Sequence, residues 1–275
     1  RGVGKKGGNE TGLRAELGNV TKMTHDRDLR NVGPSVQYKL RDANGQAREF
    51  SNYMLPVTLD GQSVFLAGMR TQPDEPFRYL RIPADAQGTV NDWMRLRAAL
   101  QNPTMRAEAA RRFALLSMPG DDRAALRSQL TDSARRALDL FAGAAADLKD
   151  TPAEAQGGFS AIATFLQKSV PDGEREKAAD VLMKIINSAM WELWQLARAQ
   201  DGLPAPTVDA TSSQWLQTAI NSLSDNVFYG APVYLQLADF QQVQASVFQL
   251  TRAPGKNIVY LGSLLLVLGV FSMFY

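Results

Sequence analysis

A chain of 275 residues with 30 Lys and Arg against 28 Asp and Glu carries a net charge of +2, with no Cys and a single His. No disulfide framework, Cys-ligated zinc, iron–sulfur cluster or thiol nucleophile can be built without Cys, and one His excludes a multi-His metal site within the chain. The near-zero charge argues against a dedicated nucleic-acid binder, which needs a concentrated basic face, and the mean hydropathy of −0.22 averages a polar majority with one strongly apolar end.

Residues 1–33 show no apolar periodicity. The opening Arg1-Gly-Val-Gly-Lys-Lys-Gly-Gly reads as a flexible or irregular lead-in rather than a signal peptide, which would need an apolar stretch. Residues 34–88 read as β-structure. Val36, Tyr38 and Leu40 alternate with polar residues, Asn44-Gly45 marks a tight hairpin turn, and a return strand covers 48–55. Val57 and Leu59 lead into a second hairpin signal, Asp60-Gly61, followed by a strand over 63–67 and a last one over 77–82, between Pro76 and Pro83.

From about Val90 the period becomes helical, over 89–224. Pro103 suits the first turn of a helix reaching about Leu116. A helix starting at Gly120-Asp121 carries the stripe Leu126, Leu130, Ala134, Leu138, Phe141 and Ala145. Thr151-Pro152-Ala153-Glu154 reads as a capping box opening a helix with Phe159, Ile162, Ala163 and Leu166. The longest helix follows Pro171, with Val181, Leu182, Ile185, Ile186, Ala189, Met190, Leu193 and Ala197 inward, and ends at Gly202. A Pro-rich connector over 203–210 precedes a shorter helix bearing Leu216, Ala219, Ile220 and Leu223. Residues 90–202 hold 15 Lys and Arg and 15 Asp and Glu, so this bundle has no net field to steer a polyanion.

The pattern turns extended again over 225–252. Val233, Leu235 and Leu237 alternate, and 240–250 is rich in Val, Phe and Gln, so one or two strands are expected to rejoin the first sheet. Residues 258–275 contain no charge. The run sits near the length a membrane helix needs, and a core helix would keep a polar stripe, so 257–275 is expected to be a transmembrane helix, truncated at Tyr275. Gly262 and Gly269 share one face, either packing closely on a neighbouring helix or facing lipid. Arg252 and Lys256 on this flank would by themselves put it in the cytoplasm. The expected fold class is α+β: an antiparallel sheet or sandwich-like domain with an inserted helical bundle, followed by a transmembrane helix.

Few residues offer chemistry. His25, in Thr24-His25-Asp26-Arg27-Asp28, is a candidate haem ligand or a general base, against the plainer reading of an exposed loop imidazole. Trp191 and Trp194 lie three apart on one helix face, which suits haem or nucleobase stacking but is met more simply by packing; Trp93 and Trp215 read the same way. Arg111-Arg112 and Arg135-Arg136 suit phosphate or haem propionates, yet Glu108, Asp132 and Asp139 nearby make solvated faces the simpler reading. Asp121-Asp122 is explained by a helix start. Gly7-Gly8 and Gly157-Gly158 match no phosphate cradle, and the Asn19-Val-Thr21 sequon has no secretory context.

More specific wording lies at the two ends. Asn31-Val-Gly-Pro-Ser-Val-Gln-Tyr-Lys-Leu-Arg-Asp42 with Asn52-Tyr-Met-Leu-Pro-Val57, and Phe240-Gln-Gln-Val-Gln-Ala-Ser-Val-Phe-Gln-Leu-Thr-Arg-Ala-Pro-Gly-Lys256 running into Val259-Tyr-Leu-Gly262, resemble the ResB family of System II cytochrome c biogenesis, in particular its proteobacterial members. The resemblance implies a protein of the bacterial inner membrane with several transmembrane helices and a large periplasmic domain, of which this chain covers part together with the start of the last span. It places Lys256 outside, against the two-cation reading. It implies a CcsA/ResC-type multi-span partner, delivery and attachment of haem to reduced CxxCH thiols of apocytochrome c, and a thioredoxin-like reductant. The family's haem-contacting membrane His belongs to an earlier span and its tryptophan-rich haem motif to the partner, which Trp191-Glu-Leu-Trp194 does not match. No catalytic or metal-ligating residue carries over, and His25 aligns with no family haem position. The expected role is that of an assembly factor, a subunit of a cytochrome c haem lyase with no enzyme activity expected of it alone. Rival readings are a non-enzymatic envelope interaction protein and a membrane-tethered hydrolase with His25 as base.

Overall fold

A computed structural model of the chain describes residues 33–120, 123–146, 152, 155–231, 233–237 and 255–274. His25, Gly7-Gly8, the Asn19 sequon, Asp121-Asp122 and the strands expected over 240–250 lie outside the described residues.

The five described strands are β1 (Ser35–Arg41), β2 (Ala47–Tyr53), β3 (Val57–Leu59), β4 (Gln62–Arg70) and β5 (Arg78–Pro83). All neighbours run antiparallel. β4 is central: β2 and then β3 pair along one of its edges, β5 pairs along the other, and β1 pairs β2. Both turn signals are met. Gly45 takes φ 81°, while the Asp42 carboxylate accepts from the Asn44 and Gln46 amides at 2.9 Å each. Asp60 and Gly61 have φ 51° and 76°, the paired positive angles that join twisted strands in a two-residue hairpin.

Six described α-helices follow: α1 (Asn91–Gln101), α2 (Pro103–Ser117), α3 (Ala124–Phe141), α4 (Gly158–Ser169), α5 (Arg175–Gln200) and α6 (Ala210–Tyr229). Asn102 is the joint between α1 and α2. Pro103 forces it into extended backbone (φ −90°, ψ 115°), and its side chain caps α2 by accepting from Thr104 and Met105. One core unites the layers: Phe50, Phe65, Leu80 and Ile82 from the sheet meet Trp93 and Leu96 of α1, Leu138 of α3, Met190 and Leu193 of α5 and Ile220 of α6.

The α+β class holds: the described strands form one antiparallel sheet, and the second layer is helical. Three expectations need correction. α4 begins at Gly158, not at the Thr151 capping box, because Gly158 takes φ 62° and a side chain there would strike Ser224 of α6. α6 is 20 residues long and runs to Tyr229, past the extended segment expected from Asp225. Asp209 caps its start, and Gly230 at φ 63° ends it. Residues 233–237 form no strand. Leu235 and Leu237 are held by the Asn52 amide and the Met54 sulfur instead of by a backbone ladder.

The other compact unit begins after Leu237, and its described part is α7 (Lys256–Phe274). This helix is 19 residues long, about 28 Å at 1.5 Å per residue, close to a hydrocarbon core of about 30 Å. None of its residues is buried. A soluble core helix of this composition would be covered on most of its surface.

Candidate functional site

The most buried polar group in the sheet is Asn52, fully inaccessible on β2. β1 and β2 pair Tyr38 with Phe50 and Val36 with Asn52, so Tyr38, Phe50 and Asn52 project on the helix-facing side. The Asn52 amide donates to the Tyr38 hydroxyl (3.2 Å) and to the Leu235 carbonyl (3.0 Å), while its oxygen accepts from the Tyr229 hydroxyl (3.0 Å). The Tyr38 and Tyr229 hydroxyls lie 2.9 Å apart. Since the Tyr229 proton goes to Asn52, Tyr38 is the donor to Tyr229. The three groups therefore close a ring, each donating to the next, in which the bonds polarise one another. Phe50 stacks on Tyr38 and meets Tyr229 edge-on, both at 5.1 Å. Burial pushes the Tyr229 phenol well up, and pushes that of neighbouring Tyr234 up to about 12. Both stay protonated and neutral, suited to fixing structure rather than moving protons. The ring fastens the start of the sheet, the end of α6 and residues 233–237 to one another.

A second network joins α1 to α5. The carboxylate of Asp92 pairs with Arg95 at 3.0 Å and with Arg198. Arg95 Nε donates to Asp201 at 2.6 Å, and Arg198 Nε to the Pro204 carbonyl at 2.8 Å. Beside it lies a cavity of about 500 Å³ lined by Met94, Arg95, Ala98, Met105, Gln200 and Asp201. Every charge here has an opposite partner, which suits a clamp between helices. Among the described residues lining the cavity, no nucleophile is set against a base.

The tryptophans pack. Trp194 is 4% exposed and stacks on Trp215 at 4.3 Å, with Trp191 edge-on to Trp194 at 5.5 Å. Trp93 is buried in the core. Between the two tryptophans of α5 sits Glu192, whose carboxyl burial pushes above its ordinary value. Arg111 and Arg112 both hold Glu108 (2.8 and 3.0 Å), which keeps that carboxyl down at about 2. Arg135 pairs with Asp132, and Arg136 lies over the Phe165 ring. The arginine doublets are thus engaged within the fold and are not brought together. Gly157 and Gly158 serve the close crossing of α4 with α6. Gly262 and Gly269 have open space around them on α7, and Lys256 lies 5.6 Å from the Tyr260 ring. Among the described residues no group of three His, Cys, Asp or Glu side chains is placed to hold a metal.

Neither network is signalled locally in the sequence. Asn52 and Tyr229 are 177 positions apart, and Asp92 and Arg198 are 106 apart.

The ResB-like family pattern matches the chain across residues 4–275, its whole described length and both end motifs. The chain belongs to the ResB-like family. That family is associated with cytochrome c biogenesis, and membership together with the exposed apolar α7 fits a membrane-anchored protein of a cytochrome c biogenesis system. No curated protein and no solved structure matches this ResB-like chain.

Proposed function

We propose that this chain is the membrane-anchored, outward-facing component of a cytochrome c maturation machine in the bacterial inner membrane. It works with a CcsA/ResC-type multi-span partner that passes haem across the membrane for attachment to the CxxCH thiols of apocytochrome c, which a thioredoxin-like reductant keeps reduced. The observation that carries the reading is the family match over residues 4–275, supported by α7 as an anchor.

Haem is the cargo here. The described residues offer its iron neither imidazole nor thiolate, and the buried Tyr229 and Tyr234 phenols are held protonated. His25 is the single imidazole of the chain. The bulk of the domain then supports the partner and shapes a docking surface. Deletion of the gene abolishes haem-stained c-type cytochromes and a plasmid copy restores them. A tagged chain co-purifies with a multi-span membrane protein. Normal haem staining in the deletion strain refutes the reading.

A further inference from the structure

Among the described residues β1 pairs with β2 on one side only. The register shows which backbone groups face the other side. The Met54 amide donates to the Pro34 carbonyl at one end of the hairpin, and the Asp42 amide to the Gln46 carbonyl at the other, at 3.0 Å each. Hydrogen-bonded pairs alternate along an antiparallel ladder, so Val36, Tyr38 and Leu40 also direct their N–H and C=O groups at β2. Ser35, Gln37, Lys39 and Arg41 therefore turn theirs outward, a row about 20 Å long at roughly 3.4 Å per residue. Among the described residues no partner meets these groups.

Proteins usually guard such an edge with a lysine that projects from it. Here Lys39 does not project: its ammonium is tied back across the sheet to Glu49 at 2.7 Å. Arg70 grips the same carboxylate at 2.6 Å and lies over the Phe77 ring at 4.4 Å. These groups line a cavity of about 360 Å³ against the edge, on the sheet face away from the helices. Lys39, Arg41 and Arg70 set against Glu49 leave this surface with a net charge of +2 (three cations less one carboxylate).

We propose that the β1 edge captures an extended polypeptide segment bearing carboxylates at alternate positions, which adds to the sheet as a further strand. Main-chain bonds to Ser35, Gln37, Lys39 and Arg41 supply affinity that is tolerant of sequence. The cations on the outer face select acidic side chains, and the cavity takes a side chain between them. An unfolded chain is the natural ligand of such an edge. In naming unfolded apocytochrome c as its source, the proposal rests on the cytochrome maturation reading above.

The test uses the full chain in detergent and fluorescence polarisation with a labelled peptide as long as β1, alternating Glu with Val, and its Lys-for-Glu counterpart. The acidic peptide binds, more weakly as salt rises, and the basic one does not. Gln37→Pro deletes an outward N–H without touching the ladder to β2, a position at which strands accept proline. It weakens binding about tenfold or more while circular dichroism and the melting temperature hold. Lys39→Glu with Arg41→Glu exchanges the preference to the basic peptide, a change of sign that misfolding cannot produce. Failure of the acidic peptide to bind, equal binding of both peptides, or unaltered binding by a folded Gln37→Pro variant overturns the proposal. So does a concentration-dependent dimer that Gln37→Pro dissolves, since a second copy is then the occupant. The deletion strain separates the two ideas. Lost cytochromes with no peptide binding refute the edge alone, and normal cytochromes refute the maturation reading whatever the peptide does.

Discussion

Replacing Asn52 by Leu keeps the branched shape of the side chain and removes both of its polar atoms from the ring. Of the three groups, only the Tyr38 and Tyr229 hydroxyls remain, 2.9 Å apart. They still share one bond, so one hydroxyl proton is left without an acceptor inside the core. Such an orphan costs about 1–3 kcal/mol, and each of the other two lost bonds about 0.5–1.5 kcal/mol. The extra apolar burial of Leu returns about 1 kcal/mol, for a net loss of about 1–5 kcal/mol. In a unit of this size that lowers the melting temperature by roughly 2–20 °C. Tyr229→Phe is expected to cost about 1–3 kcal/mol by orphaning the Asn52 oxygen. The double variant should then cost less than the sum of the two, with a coupling of about 1 kcal/mol or more, because the second change removes a partner already lost. Far-UV circular dichroism melts of the four proteins in detergent measure this cycle. Additive costs, or a loss below about 0.5 kcal/mol for Asn52→Leu, refute the closed ring.

Three further outcomes are expected. Asp92→Ala strands Arg198 and Arg95 between α1 and α5 and costs about 3–5 kcal/mol, read as a lower urea midpoint; a loss under about 1 kcal/mol refutes the clamp. Gly158→Ala combines a left-handed backbone with a Cβ only 2.5 Å from Ser224 Oγ and 2.7 Å from its Cα, for about 2–5 kcal/mol, whereas Gly202→Ala, at φ 69° in open space, costs about 1–2 kcal/mol; equal losses would show that the crossing of α4 and α6 is looser. Burial raises the Glu192 carboxyl in the folded state, so the fold binds that proton more tightly than the unfolded chain does. The stabilisation is present below the ordinary carboxylate value and is lost as pH rises from there through the raised one. Glu192→Gln therefore stabilises the protein at neutral pH and matches the parent in acid, and identical midpoints at both pH values refute this.

Much of the fold was legible because its causes are local. Asn44-Gly45 and Asp60-Gly61 specify their hairpins through backbone angles that few other residues accept. Pro103 sets the joint at Asn102, and the spacing of Ile186, Met190 and Leu193 reports the buried side of α5. The uncharged run of α7 needs no tertiary context, since lipid demands only length and apolarity. Misreadings arose where a distant surface outweighed local preference. The capping box at Thr151 was a sound local signal, but the approach of Ser224 puts the start of α4 at Gly158. Val233, Leu235 and Leu237 alternate as a strand should, yet Leu235 and Leu237 meet the side chains of Asn52 in β2 and of Met54 just after it instead of a free ladder.

The amino-acid sequence by itself determined the α+β class, the two hairpins, the helical block, the membrane-compatible end and the family. Those features rest on periodicity, turn chemistry and composition, each readable within a few turns of chain. Only the tertiary structure decided that Asn52, Tyr38 and Tyr229 form one ring, that Asp92 bridges two helices, and that β1 remains an open edge among the described residues. These depend on contacts between residues far apart in the chain and on which strand ends up last in the sheet, and no local pattern encodes either.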